Sequence, residues 1–225
     1  MERGFFVAGT DTGVGKTLVA CALLHAFARR GQRAVGMKPV AAGVSDAAGR
    51  WGNADVAALA AAANVPADRS LVNPCLLALP VAPHIAAVAE GVAIDLPAID
   101  RSFAELQQLA DVVVVEGVGG FRVPLTDRED SADLAVRLGL PVILVVGMRL
   151  GCLSHALLTV EAIAARGLEL AGWVANSIDP RMAKRPENVA ALRARIAAPL
   201  LGEVPFLEPP DPVRAAAALE LPAER

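Results

Sequence analysis

The chain has 225 residues, 55% of them hydrophobic, which is enough to enclose a sizeable core and too apolar for a disordered chain. Its 21 basic and 24 acidic residues leave a net charge of -3 with no run of lysine or arginine, which argues against a nucleic-acid-binding face. The longest strongly apolar stretch, 140–148, is about half of what a membrane helix needs. Asp11 and Lys16 interrupt any apolar leader, and Cys21, Cys75 and Cys152 form no paired motif, so a cytoplasmic protein without a membrane partner is expected.

Residues 5–8 read as a strand and 9–15 as a glycine- and threonine-rich loop. A helix begins near Lys16, carries Val19, Leu23, Ala26 and Phe27 on one face, and stops at Gly31. Residues 34–37 form a second strand. Asn53 is expected to cap a helix with Val56, Leu59, Ala60 and Ala63 on its apolar face. Residues 65–83 read as irregular and proline-broken, and a weaker helix follows over 97–109. Four strands at 112–115, 142–146, 170–175 and 200–204 are apolar on both faces, as buried parallel strands are. Helices over about 131–138, 154–166 and 186–197 separate them. The pattern is that of an α/β protein: one doubly wound domain over 1–225 with a mostly parallel sheet, of P-loop NTPase type.

The segment GTDTGVGKT at 9–17 stands between a strand and a helix, the context a phosphate-binding loop requires. Backbone N–H groups across Thr12, Gly13, Val14 and Gly15, with a helix start behind them, can cradle phosphates of ATP. Lys16 reaches for the β- and γ-phosphates and the Thr17 hydroxyl for Mg²⁺. The first glycine lies one residue further from Gly15 than the usual spacing.

Such a site needs a second carboxylate at a strand end. Glu116 follows four valines and precedes Gly117, Val118 and Gly119, whose backbone can approach a ligand; an ordinary strand-end carboxylate is the alternative. Asp55 lies in the first turn of the Asn53 helix, and on spacing alone it fits a dipole partner as well as a metal ligand. Lysine is scarce, with 18 arginines against Lys16, Lys38 and Lys184. Lys38 ends the second strand, where parallel strands meet a ligand crevice, although an edge lysine facing water has the same pattern. His25, His84 and His155 share no metal-binding spacing.

Together these segments resemble the dethiobiotin synthetase family. The resemblance rests on GTDTGVGKT at 9–17, KPVAAG at 38–43, Asp55, NP at 73–74, PH at 83–84 and VEGVGG at 115–120. It continues through PVILVVG at 141–147, LGC at 150–152, His155, GWVAN at 172–176 and PLLGEVP at 199–205, so that it covers 1–207 and leaves 208–225 as a tail or helix. It implies an ATP-dependent cyclo-ligase that converts 7,8-diaminopelargonate and carbon dioxide to dethiobiotin through a carbamate and a carbamic–phosphoric anhydride. It implies that Lys16 and Lys38 bracket the reacting groups and that Thr17, Asp55 and Glu116 hold Mg²⁺. It further implies nucleotide contacts from Gly117, Val118 and Gly119, and adenine recognition by Asn176, Ser177, Pro205, Phe206 and Leu207. The substrate side would comprise Lys38, Ala42, Gly151, Cys152 and Ser154, the last three contributed by the other subunit of a homodimer. Read from the residues alone, Ser154 fits a plain helix cap as well as an anion anchor.

Three positions depart from the family pattern: Gly13, where an acidic residue is frequent; Ala42, where a hydroxyl is usual; and Ser154, where asparagine is frequent. Among relatives of the same expected fold, partition-type regulatory ATPases carry a second lysine at the position of Asp11, and glutamine-dependent synthetases need a further domain for which no chain remains. A nucleotide-binding module without turnover is the remaining alternative.

Overall fold

Successive residues of β1 (Gly4–Gly9) point to opposite faces of a sheet, and both sets are apolar, which commits the strand to a sheet covered on both sides. The structure, a computed structural model, describes residues 4–222. Phe6 and Ala8 enter one core cluster; Phe5 and Val7 enter the other. The same division recurs in β5 (Val112–Glu116) and β6 (Val142–Met148), which flank β1 in parallel with Phe6 opposite Val115 and Val142. With β2 (Ala34–Met37), β7 (Leu170–Ser177) and β8 (Leu200–Val204), the sheet runs β2-β5-β1-β6-β7-β8, every neighbouring pair parallel.

One core cluster takes side chains from α1 (Lys16–Arg29), α2 (Ala54–Ala62) and α9 (Pro212–Ala216). The other takes them from α5 (Leu96–Leu109), α6 (Ser131–Leu138), α7 (Cys152–Ala165) and α8 (Arg185–Arg193). From β1 the chain passes through α1 to β2; from β5 it passes through α6 to β6, on the other side of β1. Neighbouring strands β1 and β5 therefore send their following helices to opposite faces, and a crevice opens at their carboxyl ends.

The expected α/β doubly wound sheet is present, but the segment read as irregular holds more order than its prolines suggest. It contains α3 (Arg69–Val72), β4 (Cys75–Leu77) and the start of α4 (Pro83–Glu90). β4 pairs in parallel with β3 (Val40–Ala42), Val40 opposite Cys75, as a small second sheet. Three-residue strands joined across such a sequence separation leave no local periodicity to read. Asn53 caps α2 through its Oδ1, which accepts from Asp55 N at 2.9 Å and Val56 N at 3.4 Å. The buried face of α2 is Val56, Leu59 and Ala62; Ala60 and Ala63 are only half-buried. α7 begins at Cys152 rather than 154, because Gly151 at φ 96° supplies the helix entry. α8 ends at Arg193 rather than 197. In the 208–225 tail, α9 packs Ala215 and Ala216 into the core and Arg29 Nη2 donates to the Ala216 carbonyl at 2.7 Å; the last three residues of that tail lie outside the described residues.

Candidate active site

The loop after β1 turns on two glycines in the left-handed region, Gly13 at φ 74° and Gly15 at φ 89°. A Cβ on Gly15 would lie 2.1 Å from Asn176 Nδ2, so no other residue fits there. Gly15 opens α1 without a side-chain cap, which leaves the first-turn N–H groups available to an anion. Beneath the loop, Asn176 Nδ2 donates to the Val14 carbonyl at 2.8 Å, and its Oδ1 is buried without a partner.

Three chain-distant elements deliver charge to one point. Lys38 follows β2, Asp55 lies in the first turn of α2, and Glu116 ends β5. The Lys38 Nζ donates to Glu116 Oε1 at 2.6 Å and to the Gly117 carbonyl at 3.2 Å, and lies 3.1 Å from Asp55 Oδ2. All three ammonium protons thus have acceptors, and the side chain is buried rather than facing water. The Thr17 Oγ1 lies 2.9 Å from both Asp55 Oδ1 and Glu116 Oε1; with one proton, it donates to one at a time.

Electrostatics separate these groups. Burial pushes Lys16 down to about 8, the Lys38 charge adds to this, and Glu116, Asp55 and Asp11 pull the other way. Burial alone would lower Lys38 too, but Glu116 and Asp55 outweigh it and hold the ammonium above its ordinary value. Burial raises Glu116 above the usual carboxylate range, opposed by Lys38 and reinforced by Asp55. For Asp55, burial is overcome by the Lys38 charge and the Thr17 hydroxyl, and the carboxyl stays low. Two carboxylates around one cation titrate as a unit, in which Glu116 is shifted upward and Asp55 downward.

The donor set suits Mg²⁺. Two carboxylates and a hydroxyl are hard oxygen ligands, and Glu116 Oε2 is a buried oxygen with no partner. Among the described residues no three histidine, cysteine or acidic side chains gather into a denser metal cage; a cation that keeps waters and phosphate oxygens among its ligands needs none.

A cleft of about 730 Å³ opens over this centre. Thr12, Gly13, Gly15, Lys16, Thr17, Lys38, Ala42, Asp55, Glu116, Val118 and Gly119 line it. Gly117 is buried against Phe6, where a Cβ would lie 3.0 Å from the ring, and presents its carbonyl to Lys38. Other candidates lie outside the lining. Ser177 is buried and its Oγ accepts from Arg185 Nε at 2.8 Å. Pro205 and Phe206 are exposed, and Leu207 packs against the core. Gly151 and Ser154 are exposed at the start of α7, while Cys152 is buried there.

With 220 aligned residues, the chain is 64% identical to the ATP-dependent dethiobiotin synthetase BioD of Aromatoleum aromaticum (strain DSM 19018 / LMG 30748 / EbN1), covering 98% of each protein. The chain belongs to the dethiobiotin synthetase family. A family model described as an AAA domain matches residues 3–214. Solved structures share the fold at low identity. The septum site-determining protein MinD of Pyrococcus horikoshii, complexed with Mg-ADP, is 20% identical with a TM-score of 0.58, over 97% of this chain and 87% of that one. The cobyrinic acid a,c-diamide synthase of Mycobacterium smegmatis, with bound ADP and magnesium, is 19% identical with a TM-score of 0.54, over 97% and 91%.

In this dethiobiotin synthetase family member the cleft also has walls that sequence reasoning did not supply. Pro80, Val81, Ala82, Pro83 and Val123 line it. Pro83 at the first position of α4 is the one local signal for this wall, since proline is favoured at helix starts. The Arg149 guanidinium, just after β6, is bonded to the Asp11 carboxylate of the phosphate loop, a pairing across the sheet edge that spacing cannot reveal.

Proposed function

We propose that the chain catalyses the ATP-dependent carboxylation and ring closure of 7,8-diaminopelargonate with carbon dioxide, giving dethiobiotin, ADP and phosphate in the cytoplasm. The observation that carries this reading is the Lys38 ammonium held between Asp55 and Glu116 beside Thr17 and Lys16, in a chain so similar to an ATP-dependent dethiobiotin synthetase.

In this reading the N–H groups of 12–17 and the Lys16 ammonium bind the ATP phosphates. Thr17, Asp55 and Glu116 hold Mg²⁺, which when bound offsets charge on the phosphates. One substrate amine adds to carbon dioxide, and Lys38 holds the resulting carbamate toward the γ-phosphate. The carbamate oxygen displaces ADP, and the second amine then attacks the carbonyl and expels phosphate. Such chemistry asks for positioning and charge more than for a strong base, which fits a cleft with two buried lysines and no histidine in its lining. Ala42 gives the substrate side an apolar wall without a hydroxyl. Asn176, Ser177, Pro205, Phe206 and Leu207 receive the adenine. The substrate carboxylate is anchored by Gly151, Cys152 and Ser154 of the second subunit in a homodimer.

Incubation with 7,8-diaminopelargonate, bicarbonate and Mg-ATP, followed by mass spectrometry, tests this directly. Dethiobiotin should form with one phosphate released per product. ATP hydrolysis without dethiobiotin would favour a regulatory ATPase instead.

A further inference from the structure

Asp11 places a carboxylate inside the loop that is read above as the phosphate cradle. Its Oδ1 accepts from Thr12 N at 2.7 Å, and its carbonyl accepts from Lys16 Nζ at 3.0 Å. Its Oδ2 is bonded to Arg149 Nη2. Arg149 follows β6 directly, and β6 also holds the loop through Val145, whose carbonyl accepts Thr10 N at 3.0 Å. The Arg149 carbonyl accepts Cys152 N at 3.0 Å and so closes the turn into α7. One residue thus ties the phosphate loop to the start of α7.

An unpaired carboxylate at this point would repel a polyphosphate and compete for Lys16. We propose that Arg149 is a positioning residue for nucleotide binding, which neutralises Asp11 and keeps the Asp11 backbone where its carbonyl orients Lys16. The inference rests on the reading of the loop as a nucleotide site. The ion pair is half-exposed, at 42% for Arg149 and 43% for Asp11, and pairs of this kind contribute little to folding stability. Its consequence is therefore expected in ligand binding rather than in the melting temperature.

The test is a charge cycle read by calorimetry with Mg-ADP. Arg149→Ala should weaken binding about tenfold and raise KM for ATP, with KM for the diamine and the melting temperature little changed. Arg149→Lys should retain most of the affinity. Adding Asp11→Asn to Arg149→Ala should return the affinity to within about twofold of the parent, since no carboxylate then needs neutralising. An Arg149→Ala chain that binds as tightly as the parent overturns the inference, as does a double variant no better than the single one. A rise in diamine KM with ATP KM unchanged also overturns it. A parent chain that fails to bind Mg-ADP overturns the nucleotide reading and this inference with it.

Discussion

Lys16, Lys38 and Glu116 are exposed by 7%, 3% and 1% and are bonded to partners in their own chain, whereas Leu150 at the entry to α7 is 95% exposed, with Gly151 and Ser154 open beside it. Both regions lie beyond the carboxyl ends of strands in one parallel sheet, and both lead into helices that start on a glycine without a side-chain cap. The difference lies in what surrounds them. The first is enclosed by α1, the Lys38 turn, α2 and the 117–119 loop, so its charges are preorganised before any ligand arrives. The second is open at Leu150, Gly151 and Ser154, with only Cys152 buried beside them.

The largest effect is expected from breaking the buried region. Lys38→Ala removes the cation beside Glu116, which is 1% exposed and is left buried without that partner. Turnover should fall at least about 10²-fold, the scale for losing one preorganised electrostatic contact, while Mg-ADP binding stays within a few-fold. Near-normal turnover in steady-state assays would remove Lys38 from the chemistry.

Glu116→Gln keeps the size of the side chain and its contact with Lys38 but takes away the charge a hard cation prefers. The Mg²⁺ concentration for half-maximal rate should rise about tenfold or more. An unchanged Mg²⁺ titration would reduce Glu116 to a structural partner of Lys38 and leave Asp55 as the main metal carboxylate.

Lys16 gives the buried region a pH signature. Its value is lowered from 10.5 to about 8 by burial and by Lys38. Between these values the folded chain holds fewer protons than the unfolded chain, so this group destabilises the nucleotide-free fold fully below about 8 and its penalty fades as pH rises toward 10.5. Nucleotide affinity runs the opposite way. It should be lost as pH rises through about 8, because the neutral amine no longer attracts phosphate. Calorimetry with Mg-ADP at several pH values should show this fall, and Lys16→Met should abolish it.

The contrast between the regions also marks what the sequence made legible. Strands β1, β2 and β5–β7 carry largely apolar runs because both sheet faces are covered, and such runs are readable without a partner. The edge strand β8, read as apolar on both faces, instead exposes Glu203. Asn53 could be read as a cap because its side chain acts within three residues. The β3–β4 pair could not, since each strand has three residues and its partner is remote in sequence. α4 was equally hidden: it exposes Ile85 and Val88 by 53% and 80%, so its apolar residues do not trace a single buried face. Strand ends suggested that Lys38 and Glu116 share a crevice, whereas Asp55, ambiguous on spacing alone, joined them through the family resemblance. The saturation of Lys38 and the Arg149–Asp11 pair required coordinates, because both depend on side chains crossing between strands.

The smallest effect is expected at the open region, and it is the more discriminating for that. Ser154 begins the first turns of α7, is exposed, and its hydroxyl finds no hydrogen-bond partner among the described residues. As a plain helix cap it would accept from backbone N–H groups nearby, and its removal would destabilise the helix by about 1 kcal/mol; no such bond is made. Ser154→Ala should therefore leave the melting temperature and Mg-ADP affinity unchanged. If the hydroxyl meets the substrate carboxylate in the partner's cleft, KM for the diamine should rise about three- to tenfold with kcat retained, the net scale of one typical solvent-accessible hydrogen bond. A matching arm uses Gly151→Glu, whose charge would repel that carboxylate, in heterodimers with Lys16→Ala chains. Each heterodimer then holds one intact site, and activity should return toward about half of normal. Verified heterodimers that remain inactive, together with an unchanged diamine KM in Ser154→Ala, would place the substrate anchor within a single chain.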